Sequence, residues 1–108
     1  MRERINQLAE RFLQRCSQDM VSIRELMTRL NTDDRSALKE LEHLAHRMCG
    51  TGASLGFESL SERAASVERL SEEQVQGSTM DSEALKRLST YVMQLESEIA
   101  ALIRTRGS

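Results

Sequence analysis

Apolar residues return along this chain at intervals of three and four, the spacing that lines up one face of an α-helix. Ile5, Leu8, Ala9, Phe12 and Cys16 form a first stripe, and Met20, Ile23, Leu26, Met27 and Leu30 a second. Ser17 and Asp19 lie between them with N-cap chemistry, so this stretch reads as one bent helix or two short ones. Asn31-Thr32-Asp33-Asp34 is a turn and cap cluster. A third stripe, Ala37, Leu41, Leu44 and Met48, predicts a helix over 34–53. Gly50-Thr51-Gly52 and Leu55-Gly56 interrupt before Phe57, Leu60, Ala64, Val67 and Leu70 resume the period. Gln76-Gly77-Ser78-Thr79 is the longest polar connection, and Ser78 or Asp81 is placed to cap the last helix. The stripe of that helix, Leu85, Leu88, Val92, Leu95, Ile99 and Leu102, is the most regular. No segment alternates with the period of a strand. Short links between amphipathic helices favour antiparallel neighbours. The expected fold is therefore all-α: an antiparallel up-down four-helix bundle with an N-terminal helix or helix extension, residues 1–108 making one domain.

Composition narrows the function classes. The chain has 108 residues, 15 basic and 17 acidic, for a net charge of −2, with one Tyr, two Phe and no Trp. It offers neither a cationic footprint nor stacking platforms for nucleic acid. Proline is absent, which suits helices throughout. No apolar run approaches the roughly 20 residues that span a bilayer, and none marks a signal peptide. Two cysteines, Cys16 and Cys49, make no disulfide framework and read as reduced thiols, so a cytoplasmic location is expected. His43, His46 and Cys49 match no common zinc spacing, so no metal site is assigned. Cys49 with His46 three residues away lacks an oxyanion hole or pocket for nucleophilic catalysis. No glycine-rich phosphate loop is present. An enzyme with its own nucleotide site is not expected.

The histidines carry the most information. At 100° per residue, His46 lies about 180° from the stripe of Ala37, Leu41, Leu44 and Met48, and shares its face with Arg35, Lys39, Glu42 and Gly50. It is expected to stand in solvent. Gly50 lies one turn later on the same face, where glycine costs about 1 kcal/mol relative to alanine in a helix interior. Either it ends the helix as a C-cap, or its missing side chain lets another protein approach the imidazole closely. A neutral imidazole is a nucleophile near pH 7, which suits phosphoryl transfer.

The run Leu44-Ala45-His46-Arg47-Met48-Cys49-Gly50-Thr51-Gly52-Ala53-Ser54-Leu55-Gly56-Phe57, with Leu60, Ala64 and Val67-Glu68 after it, resembles the histidine-containing phosphotransfer (HPt) domain family. The shared pattern is a histidine after a small residue, a glycine four positions on, then a Leu-Gly pair opening the next helix. Phe12-Leu13, Asp19-Met20, Ile23 and Leu26 resemble the family's N-terminal helices, so the resemblance covers nearly the whole chain. It implies that His46 is the phosphoacceptor, that Gly50 clears space beside it, and that Glu68 accepts a hydrogen bond from one ring nitrogen. His43 competes poorly for the acceptor role, because the residue four positions after it is Arg47 rather than glycine. One position departs from the pattern. The family usually carries lysine three residues after the histidine, and this chain has Cys49. Arg47 and Arg69 are the cations left to substitute, although Arg47 is about 100° round the helix from His46.

The expectation is a phosphorelay intermediary, not an enzyme, that carries a phosphoryl group on His46 between receiver-domain aspartates of two-component signalling proteins. The alternative, favoured by Cys49, is a degenerate docking module that binds a receiver or histidine kinase without transferring phosphate. The dimerising phosphoacceptor helix pair of a sensor kinase fits less well: Arg47 comes after the histidine where an acidic residue is usual. Implied partners are response-regulator receiver domains and a hybrid histidine kinase, with no nucleic acid and no membrane, for a monomer. No cofactor is expected on this chain, the Mg²⁺ belonging to the receiver. Leu38, Lys39, Glu42, His43, Arg47 and Cys49 are expected to form the docking surface, with Leu38 and Ala45 as its apolar rim.

Overall fold

A computed structural model describes residues 2–77 and 81–106. It contains four helices: α1 Arg2–Asn31, α2 Ala37–Ser54, α3 Glu58–Gln76 and α4 Ser82–Arg106. Among the described residues there is no strand. Each helix packs on its chain neighbours, and α1 closes the ring against α4. Asn6 meets Arg106 and Arg24 meets Glu96, so α1 and α4 run antiparallel. The fold is an all-α, antiparallel up-down four-helix bundle, 48 Å along its longest axis.

The stripes of the sequence converge inside it. Met20, Ile23, Leu41, Met48, Leu60, Val67, Leu88 and Leu95 are almost entirely buried. The first two stripes belong to one uninterrupted helix: Asp19 is no cap but a mid-helix carboxylate 3.9 Å from Arg15 and 3.6 Å from Arg47. Leu8, expected in the core, is exposed although its neighbour Ala9 is buried, because it faces the groove that Ser54 and Leu55 also line. The Ile5 side chain lies outside the described residues, as does Ser78.

The turns arise from local chemistry. α1 ends with the Asp34 N–H on the Arg29 carbonyl and the Asp33 N–H on the Leu30 carbonyl, while Asp33 takes φ +66°. α2 ends the same way, with Phe57 N–H on Gly52 and Gly56 N–H on Ala53, and Gly56 at φ +86°. Both are paired-carbonyl helix stops that require a left-handed residue. α2 starts at Ala37 rather than 34, because the Asp34 carboxylate is spent accepting from the backbone and hydroxyl of Ser36. That contact, ahead of the Arg29 guanidinium, holds the Asp34 carboxyl below the usual carboxylate range. Asp81 caps α4, accepting the Ala84 N–H at 2.6 Å. Arg35 does not share the outer face with His46. Its guanidinium reaches the Gln74 and Gly77 carbonyls, both at 2.7 Å, and fastens the end of α3 to the start of α2.

α2 and α3 pack tightly at Gly52, where a Cβ would stand 3.2 Å from Leu60 Cδ2 and 3.5 Å from Phe12 Cζ. Phe12 in turn stacks on Phe57, ring centroids 5.9 Å apart. This seam sets the separation of the two helices that carry the candidate site.

Candidate functional site

α2 lies between α1 and α3, so only its outer crest meets solvent. His46 stands on that crest, its side chain 71% exposed. Across the seam, Glu68 of α3 places Oε2 2.5 Å from His46 Nδ1. A carboxylate only accepts, so Nδ1 carries the proton and donates it, and in the neutral tautomer with that proton the lone pair sits on Nε2. The Glu68 side chain is itself largely covered, 23% exposed. One ring nitrogen is thus engaged against α3, and the other is turned away from that contact.

Gly50 lies inside α2 rather than at its end, and a Cβ there would meet nothing within 4 Å. The C-cap is Leu55, so the capping explanation of Gly50 is set aside. With no side chain at 50, the crest beyond the imidazole is bare backbone, and His46 opens onto the groove between α1 and α2. Arg11, Arg15, Asp19, Arg47 and Thr51 line that groove with it.

Cys49 occupies the remaining position near the ring. Ser61 donates its hydroxyl proton to the Cys49 carbonyl at 2.9 Å, so the thiol is left to donate to Ser61 Oγ at 3.4 Å. The side chain is turned into the α2–α3 seam. It brings no charge to the crest. Arg69 lines a groove with Arg87 and Tyr91 on the α4 side of α3, away from His46. Arg47 points to α1 and Asp19.

Of the expected docking residues, Lys39, His43 and Arg47 are exposed, and Glu42 and Cys49 are half-buried. Leu38 is not part of that surface: it is 1% exposed and in the core, and Ala45 is fully buried. Centring the buried arc on the bulky Leu44 misplaces it. Ala45 is buried and Gly52 packs closely against Leu60 of α3, so the buried face is centred nearer Leu38, while Leu44 is only partly covered. The signal that sequence reading missed is that pair of small residues seven apart, on one helical face.

Among the described residues no group of three or more His, Cys, Asp or Glu side chains could hold a metal ion, and no helix is long and apolar enough to cross a membrane.

The arrangement is a four-helix bundle that exposes His46 on α2, holds it with a carboxylate from the next helix and leaves the position one turn on without a side chain. The chain belongs to the Hpt domain family, whose model matches residues 7–105. No curated protein and no solved structure matches it. Hpt domains are phosphocarriers rather than enzymes and work with receiver domains and kinases, which gives this chain a phosphotransfer role in two-component signalling.

Proposed function

We propose that this chain is a phosphorelay intermediary that receives a phosphoryl group on His46 Nε2 from the aspartyl phosphate of one receiver domain and returns it to the aspartate of another. The observation that carries this reading is the Nδ1–Glu68 contact on an exposed ring, since it leaves the outward nitrogen nucleophilic without any proton having to leave it. In the transfer, the Nε2 lone pair attacks phosphorus, the Nε2–P bond forms, and the P–O bond to the receiver aspartate breaks. The carboxylate departs with that electron pair. The ring becomes a phosphorylated imidazolium that keeps its Nδ1 proton, and the Glu68 carboxylate offsets the new positive charge. The reverse sequence hands the group on.

The receiver brings Mg²⁺ and the acidic pocket; this chain brings the nucleophile and its orientation. The 108 residues act as one domain and a monomer. Lys39, His43 and Arg47, with Glu42 at the margin, meet the partner around His46, and bare backbone at Gly50 lets its active site close over the ring. The partners in this reading are response-regulator receiver domains and a hybrid histidine kinase, met in the cytoplasm.

The test is incubation with a phosphorylated receiver domain and then detection of acid-labile label. Wild type and His43→Gln take the label, and His46→Gln does not; label that tracks His43 instead overturns the assignment. Gly50→Gln stays folded but loses transfer from the receiver by about tenfold or more, a steric block of about 1.4 kcal/mol or above. A second reading rests on Cys49, which leaves the position three residues after His46, where the family usually carries lysine, without a cation. In that reading the chain docks on a receiver and takes no label, although the receiver still binds.

A further inference from the structure

A phosphoryl group on His46 would be a dianion standing in solvent, and the cations that can meet it belong to the groove that His46 shares with α1. Arg15 and Arg47 both reach Asp19 there, at 3.9 and 3.6 Å, distances of loose ion pairs rather than formed hydrogen bonds. Their side chains are 63% and 53% exposed, while Asp19 is 16% exposed. One carboxylate cannot neutralise two guanidiniums, so this end of the groove carries net positive charge before any ligand arrives. Arg11, one turn before Arg15, lines the same groove and makes no hydrogen bond or ion pair among the described residues. Gly50, with nothing above it, lines the groove beside these side chains and the imidazole.

We propose that Arg15 of α1, with Arg47 of α2, forms a phosphoryl clamp in which Asp19 holds the two guanidiniums until His46 is phosphorylated. The clamp then swings across the bare backbone at Gly50 onto the phosphoryl oxygens. Resting on the phosphoacceptor role proposed for His46, this supplies from a neighbouring helix the charge that Cys49 does not. Arginine suits the task, because its planar fork meets two phosphoryl oxygens at once and stays charged at any working pH. Its reach suits it too: Arg15 approaches from the opposite wall of the groove and leaves the crest open to a docking partner. No bond forms or breaks in the swing. Arg15 and Arg47 exchange one shared, loosely held carboxylate for a dianion.

The experiment uses a small phosphodonor, phosphoramidate, so that docking plays no part. The Nε2 lone pair attacks phosphorus, the donor P–N bond breaks, and its protonated nitrogen leaves as ammonia. After desalting, loss of label is monitored as water attacks phosphorus and releases orthophosphate. Arg15→Gln with Arg47→Gln shortens the phosphohistidine half-life about three- to tenfold, the range of an exposed charge-assisted contact. Arg15→Lys in the Arg47→Gln background recovers part of it, and added salt shortens the wild-type half-life but not that of the double variant. Asp19→Asn, which releases both arginines, lengthens it. Half-lives unchanged in the double variant, with wild type labelled and His46→Gln unlabelled, overturn the clamp and leave the phosphoacceptor standing. A wild-type chain that takes no label from phosphoramidate overturns both.

Discussion

Glu68 shows what a single residue contributes: it holds the ring from behind and leaves the reacting nitrogen alone. Glu68→Ala removes the acceptor of the Nδ1 proton. Label uptake from a receiver should then slow by about tenfold, the scale of an orienting partner, with Glu68→Gln recovering part through its amide oxygen. Equal rates in all three proteins would show that the contact does not orient the ring. The two thiols differ in the same physical way. Burial, and then the nearby Asp19 carboxylate, push the Cys16 thiol up to about 12 from an ordinary value of 9.0. Cys49 is half-exposed. A thiol reagent at neutral pH should therefore modify one cysteine per native chain, at Cys49, and two after unfolding. The folded pKa of Cys16 lies above the unfolded one, so its contribution to stability is intact below about pH 9 and drains away as pH rises towards 12. Denaturant midpoints measured across that window should fall, and should fall less in Cys16→Ala. At this scale the sequence was informative about His46 and Gly50, because exposure and an unexplained helical glycine are periodicity arguments. It said nothing of the Ser61 contact that turns Cys49 inward, which depends on how α3 is rotated.

Elements were legible where their periodicity was clean, and their ends were legible where the turn chemistry was explicit. The stripes became four helices. The boundary between the first two stripes vanished because no residue there breaks a helix, and a good cap type such as Asp19 is spent on arginines instead. Arg35 could not be placed from its helical angle, since it precedes α2 and its side chain answers to carbonyls at the end of α3. Two predictions belong here. Asp33 holds φ +66° at the stop after α1, a conformation that costs a non-glycine residue about 1 kcal/mol, so Asp33→Gly should raise the midpoint of chemical unfolding slightly rather than lower it. The two glycines of α2 should separate cleanly. Gly50→Ala gains about 1 kcal/mol of helix propensity with no contact to lose. Gly52→Ala gains the same propensity but drives a methyl against the fully buried Leu60, so its thermal midpoint should fall below wild type while that of Gly50→Ala rises. A Gly52→Ala protein as stable as Gly50→Ala would mean that the seam has slack.

The whole molecule divides its labour between pairs of helices. α2 and α3 are locked by Gly52, Leu60, the Ser61–Cys49 contact and the Arg35 bridge, and they carry both partners of the His46–Glu68 pair. α1 and α4 complete the core from the other side, and Leu8 of α1 stays exposed. Hydrogen exchange should register the difference. Amides of α2 and α3 facing the seam should exchange only on near-global opening, whereas those in the first two turns of α1 should exchange by fraying. The reverse order would place the rigid unit elsewhere. A protein whose Nδ1–Glu68 contact must survive many encounters gains from having it in the part that opens least: each docking event can bend side chains on the crest, yet the ring returns to the same tautomer. The tight seam at Gly52 thus acts as the memory of the site, resetting the nucleophile between one partner and the next.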